Sequence, residues 1–210
     1  MAANYTELQA EIANYLGRTD LAAVIPTFIQ QAEATINREL RLKAMEKISI
    51  LQAVAGNRVL PLPNRRDPGD WDVFLEMRDL RLDMQKMVNL DYLTPEALPT
   101  RQMSGIPQVY TIVGKDLILY PTPQEDCNLE LIYYAEVPPL GDSQPDNEVL
   151  LTMPDMYLYG SLVKSAGYAR STVPLELWAA LYQQAAQGID DSDESGRFTA
   201  NLASRPIRCI

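Results

Sequence analysis

The chain has no histidine, only two cysteines among its 210 residues, and no apolar run near the ~18 residues of a membrane span. Each absence closes off a class of protein. Without histidine, the commonest zinc ligand and the commonest general base at neutral pH are missing, so Ser-His-Asp triads and His-based metal sites are impossible. Carboxylates, lysine and serine are still available for catalysis. Cys127 lies in a strand-like stretch and Cys209 is the penultimate residue, too few for a disulfide framework. Neither G-x-G-x-x-G nor G-x-x-x-x-G-K-[ST] occurs, so no phosphate-cradling loop and no cofactor is expected. The start "MAANYTELQAEI" lacks the basic and apolar regions of a secretory signal, from which synthesis in the cytoplasm and no membrane partner are expected.

What is present is an ordinary globular composition, 47% hydrophobic, with a formal net charge of −10. The length suits one large domain or two small ones that share a core. An acidic surface repels nucleic acid and anionic membranes, which argues against broad nucleic-acid recognition.

Along the chain the hydrophobic period changes twice. "NYTELQAEIANYLGR" places Leu8, Ile12, Tyr15 and Leu16 on one helical face, with Gly17 as C-cap. Asp20 is expected to cap a second helix with Pro26 in its first turn and Phe28, Ile29, Ala32, Ile36 and Leu40 at helical spacing. "MEKISILQAV" then alternates, with Ile48 and Ile50 on one side, and "GN" turns it into the partner strand "RVLPLP". The polar "PNRRDPGDWD" reads as irregular. "VFLEMRDLRLDM" and "KMVNLDYL" form a second candidate pair, and Thr94 with Pro95 opens a short helix. A third hairpin turns at Gly114–Lys115, and "NLELIYYAEV" closes the set with Leu129, Leu131, Tyr133 and Ala135 on one face. Helices return at Pro154, where Thr152 and Asp155 resemble a capping box. The segment Met156–Ala169 is apolar nearly all round, as in an enclosed helix. A last helix carries Leu177, Trp178, Leu181, Tyr182 and Ala185, and the remainder follows with no period running through it.

The expected fold is therefore α+β. A helical bundle of the N- and C-terminal helices (1–42 and 148–190) carries an inserted antiparallel β-sandwich or barrel module (43–137). A crossing loop (138–147) leads back, and a C-terminal arm (191–210) follows.

Several constellations have a bland and a functional reading. Asp190, Asp191, Asp193 and Glu194 lack the glycine and spaced glutamate of an EF-hand and read as a solvated helix exit. Tyr133, Tyr134, Tyr157 and Tyr159 flank the crossing loop. They could stack on a sugar, but as packing they would form the junction of bundle and β-module. Glu76, Asp79, Glu130 and Glu136 could supply a glycosidase pair, yet acids alternating along strands usually mark a wet sheet face. Arg65 and Arg66 lie among acids that can pair with them. The final stretch, Gly196–Ile210, holds Arg197, Arg205 and Arg208 with no acid, and Phe198, Leu202 and Ile207 between them. It is a candidate arm for a neighbour or partner.

Taken together, "SGIPQVYTIVGKDLILYPTP", "LELIYYAEVPPL", "LLTMPDMYLYGSLVKSAGY" and "LDYLTPEAL" resemble the head-to-tail adaptor proteins of tailed bacteriophages, the tail tubular protein A-like group. The resemblance runs from about Tyr5 to Phe198; "PNRRDPGDWD" departs from it as a longer turn. It implies a virion protein with no catalytic site, built from a helical bundle joined to a β-module. Such proteins form a ring, usually dodecameric, below the portal protein. They connect the capsid vertex to the tail or nozzle protein and leave a channel for genomic DNA, which passes without sequence-specific binding. The family's C-terminal segment often grips the portal or a neighbour, which extends to Gly196–Ile210 as an expectation. Two other readings stay open from the residues: a carbohydrate- or receptor-binding β-sandwich, and a carboxylate-based glycosidase.

Overall fold

The structure, a computed structural model, describes residues 2, 4–67, 70–83, 87–99, 101, 103–168 and 175–187, with Thr19 described for its backbone only. The arm residues Arg197, Phe198, Leu202, Arg205, Ile207 and Arg208 and the acidic run 190–194 lie outside the described residues. The chain divides into two compact units, Met1–Met45 with Val137–Ile210, and Glu46–Glu136. N- and C-terminal helices flank a central β-module in an α+β architecture, as the sequence implies.

In the helical unit, α1 (Tyr5–Leu16) starts where the Asn4 side chain accepts from the Glu7 N–H, and it stops at Gly17 with φ 60°. That left-handed turn is the reason glycine is placed there. Tyr5, Leu8 and Ile12 form its buried face, whereas Tyr15 points out to solvent. α2 (Ile25–Glu39) has Pro26 in its first turn and buries Phe28, Ile29, Ala32 and Ile36. Asp20 does not cap it. The chain makes a short 3-10 turn first, and Asp20 instead pairs with Arg18 at 2.6 Å.

A short helix that the sequence reading passes over, α3 (Glu148–Thr152), ends the crossing segment, with Asn147 as its N-cap. It displaces the expected capping box. Thr152 closes α3 by bonding Glu148 O, and α4 (Pro154–Ser165) begins without a side-chain cap. α4 is enclosed. Its Met156, Tyr157, Leu158 and Leu162 are buried, and so are Ser161 and Ser165. The enclosure is tightest at Gly160, where an added Cβ would lie 3.3 Å from Ala32 Cβ on α2. It would also lie 3.3 Å from Tyr182 on α5 (175–187). α5 turns Trp178 inward, while Leu177 lies on its exposed side.

The sheet unit holds two main sheets. One has the order β1 (Glu46–Ala53), β11 (Cys127–Ala135), β4 (Asp70–Asp83), β3 (Asn64–Asp67), with β5 (Val88–Asn89) also on β4. The other has the order β2 (Val59–Pro61), β9 (Asp116–Tyr120), β8 (Val109–Val113), β6 (Asp91–Tyr92). β7 (Ser104–Gly105) pairs with β10 (Thr122–Pro123) in a small third sheet. Leu129, Leu131 and Tyr133 of β11 and Leu80 and Leu82 of β4 pack with Leu117 and Leu119 of β9 in one core. A fully buried leucine stabilises by about 1.5–3 kcal/mol, so this alternating set decides which way β11 faces.

Three expectations about the strands change. Gly56 does make the turn after β1, with φ 79°, but β1 and β2 do not pair with each other. β1 runs along β11 and β2 along β9. The turn is tied instead to the chain before β11, through Gly56 N to Pro123 O and Ala55 N to Asp126 Oδ1, both at 2.8 Å. The "irregular" stretch is the β3–β4 hairpin, locked across the strands by Arg65 and Asp70 at 2.7 Å. The module is also not purely antiparallel, since β6–β8 and β7–β10 are parallel. The β4–β5 pair, the Gly114 hairpin of β8 and β9 and the inward face of β11 stand as read from sequence.

Replacing Gly160 by valine should lower stability by about 1–3 kcal/mol through overpacking against Ala32 and Tyr182. Thermal melting checks this, and an unchanged midpoint contradicts the enclosure of α4.

Candidate functional site

The four tyrosines singled out in the sequence divide between the units. Tyr133 and Tyr134 belong to the sheet unit, and Tyr157 and Tyr159 to the helical unit.

Tyr133 points inward from β11, stacked on Phe74 with ring centroids 5.7 Å apart. Its hydroxyl donates to Asp72, a buried acid at the start of β4. Around the same carboxylate stand Lys47 Nζ at 3.7 Å and Arg65 Nη2 at 3.7 Å. Lys47 also donates to Trp71 O at 2.6 Å. Burial, together with the bond to Asp72, pushes the Tyr133 phenol up well beyond its ordinary range. It is a fixed donor with no acid–base role near neutral pH. Arg66 continues the hairpin's pattern, lying 5.8 Å over the Trp71 ring and 3.5 Å from Glu136. The hairpin charges are self-paired, as the sequence suggests. Tyr134, one residue on and facing the other way, reaches Glu46 at 3.4 Å.

Tyr157 is the centre of a buried network in the helical unit. Its hydroxyl accepts from Asn147 Nδ2 at 2.8 Å and donates to Glu33 Oε1 at 3.4 Å. Glu33, on α2 and only 5% exposed, also accepts from the Leu140 N–H at 2.7 Å. Asn147 donates to Pro138 O at 2.8 Å while its Oδ1 caps Leu150 N, so one side chain fixes both ends of the crossing segment. Asn37 holds the same segment through the Val137 N–H. Burial outweighs these bonds for Glu33 and raises its pKa from 4.5 to about 7. Tyr159, half-buried on α4, meets Tyr15 of α1, and burial raises its phenol. The sequence reading missed Asp72, Glu33 and Asn147. A lone acid on the apolar stripe of α2 was the available signal for Glu33.

The carboxylates weighed as a glycosidase pair are engaged elsewhere. Asp79 and Glu130 both meet Arg81, at 2.7 and 3.3 Å, and Glu136 meets Arg66. Among the described residues no group of three or more His, Cys, Asp or Glu side chains could hold a metal ion.

Two measurements test the buried networks. Unfolded, Glu33 loses its proton near pH 4.5, whereas folded it keeps the proton to about pH 7. Its contribution to stability therefore falls as pH rises through that window, by on the order of 3 kcal/mol. Glu33→Gln should flatten this part of the pH–stability profile between about pH 4.5 and about pH 7. A variant that keeps the wild-type slope removes Glu33 as its source. Asp72→Ala should cost about 1–3 kcal/mol in urea denaturation, because it strands the Tyr133 hydroxyl. An unshifted midpoint would show the contact to be incidental.

The model of the SU10 adaptor protein family matches residues 3–205, nearly the whole chain and both units. No curated protein matches it. The resemblance read from the motifs is thereby borne out, and the carbohydrate-binding and glycosidase readings gain no support. The chain belongs to the SU10 adaptor protein family and is a non-catalytic structural protein of the virion, a head-to-tail adaptor at the junction of capsid and tail.

Proposed function

We propose that copies of the chain close into a ring, dodecameric when assembled, beneath the portal protein, with the downstream tail or nozzle protein on the other side. Synthesis takes place in the host cytoplasm. The observation that carries this reading is the family match along residues 3–205, which leaves neither unit to a separate function. A ring made by repeating one heterologous contact needs apolar surface outside the core of each subunit. Ile48 and Ile50, on the edge strand β1, are 68% and 67% exposed and offer such surface. The net charge of −10 suits a lumen through which DNA slides without sequence-specific binding. Arg197, Phe198, Leu202, Arg205, Ile207 and Arg208 form an arm that grips a neighbouring copy or the portal.

Native mass measurement tests the ring, with and without the portal ring of the same virus, for the full chain and a version ending at Glu194. A portal-dependent ring that the shortened chain fails to form supports ring and arm together. A ring from both removes the arm. No association of either form overturns the ring.

A further inference from the structure

One end of the sheet unit has a concavity that the fold leaves unfilled. A cleft of about 770 Å³ opens where the end of β1, the chain around Ile106 and the start of β11 come together. Its walls are apolar at Val54 and Ile106, which are 58% and 50% exposed, large values for side chains of this type. Three acids, Asp83, Glu125 and Asp126, line it, and among the described residues no lysine or arginine does. Asp126 spends one oxygen on the Ala55 N–H, and among the described residues none of the three forms an ion pair. Elsewhere on the same unit Asp79, Glu130, Asp70 and Glu136 are each matched by an arginine. The cleft acids are not matched in this way. An apolar cleft with unmatched acids fits an extended segment that brings both apolar side chains and positive charge.

The chain itself contains such a segment. Gly196–Ile210 carries Arg197, Arg205 and Arg208 without an acid, and Ile207 lies between the last two. It belongs to the 23 residues beyond α5, which as extended chain reach at most roughly 75 Å, ample to cross to an adjacent subunit. We propose that the C-terminal segment of one copy docks in this cleft of a neighbouring copy, seating Ile207 against Val54 and Ile106 and Arg205 and Arg208 against the three acids. The proposal rests on the ring reading and names one contact that repeats around it. Because donor segment and acceptor cleft lie at different places on the chain, the contact is heterologous and can propagate from copy to copy until a ring closes.

The chain's two cysteines report on this contact directly. Cys127 lines the cleft with a free thiol, and Cys209 stands two residues after Ile207. A disulfide requires Cα atoms within about 7 Å, so bond formation is a strict test of proximity. The full chain, assembled on the portal ring of the same virus, is treated with copper–phenanthroline, which takes two electrons and two protons from each thiol pair. Native mass of an untreated portion establishes whether the assembly formed.

The expected result is a covalent ladder beyond the dimer, with the bond mapped to Cys127 and Cys209. Cys127→Ser and Cys209→Ser each give no ladder alone, and their mixture gives dimers only. Asp83→Lys with Glu125→Lys, checked for an unchanged melting temperature, reduces the yield to that of Cys209→Ser. As a second readout, assembly slows alkylation of Cys127 in the wild type but not in Arg205→Glu/Arg208→Glu. An assembled ring with bonds within single chains, with bonds between like cysteines, or with no bond and undiminished alkylation, overturns this contact and leaves the ring standing. Failure to assemble on the portal overturns the ring reading, and this contact with it.

Discussion

The hydrogen bonds around Glu33, Tyr157 and Asn147 are what the helical unit depends on. That unit is made from two stretches of chain separated by the whole sheet unit, Met1–Met45 and Val137–Ile210. Apolar burial alone would hold α2 against α4 but would not choose where the returning backbone lies. The choice is made by polar groups. Leu140 N bonds Glu33, Val137 N bonds Asn37, and Asn147 ties Pro138 O to Tyr157 and to the first turn of α3. Tyr5 N adds a bond to Pro145 O, bringing the start of α1 to the same segment. Each backbone group so satisfied would otherwise cost about 1–3 kcal/mol if left buried and unpaired. A carboxyl group kept out of water is tolerated because it organises this return.

The sheet unit applies the same logic around Asp72. β11 is the strand through which its larger sheet is held together, paired on one side with β1 and on the other with β4. Its inward face supplies the leucines of the core, and Tyr133 on that face meets a buried acid. The opposite face carries paired charges, with Arg81 between Asp79 and Glu130 and Arg78 on Glu46. A body stiffened in this way keeps its surfaces fixed, as a joint between capsid and tail requires. Nothing in such a role calls for a reactive group. The buried acids and phenols serve position, not proton transfer.

How much of this could be read from sequence followed from how local the determining interaction was. Gly17 ends α1 and Gly114 turns β8 into β9 because positive φ is a property of a single residue, so both were legible. The alternation of Leu129, Leu131, Tyr133 and Ala135 was legible for the same reason, since a period of two needs only one strand. Partner choice was not. A Gly-Asn turn after β1 suggested a hairpin, yet the two strands go to different sheets, which is decided by contacts with β11 and β9 more than fifty residues away. The β3–β4 hairpin hid in a polar stretch because its ladder is fixed by charge pairs and not by an apolar period. α3 escaped because five residues show no period, and its cap, Asn147, sat among the turn-forming residues of the crossing segment. Tyrosines were visible as a cluster, but the acids that receive their hydroxyls, Asp72 and Glu33, are distant in sequence and could be found only in three dimensions.

The proposed role is a ring of this chain that joins head to tail in the virion. Electron cryo-microscopy of the head–tail vertex in intact particles tests it most directly. The expected result is a closed ring of density between portal and tail that fits the helical and sheet units of this chain in every subunit. Density at that level assigned to other proteins, with this chain elsewhere in the particle or missing from it, would contradict the claim.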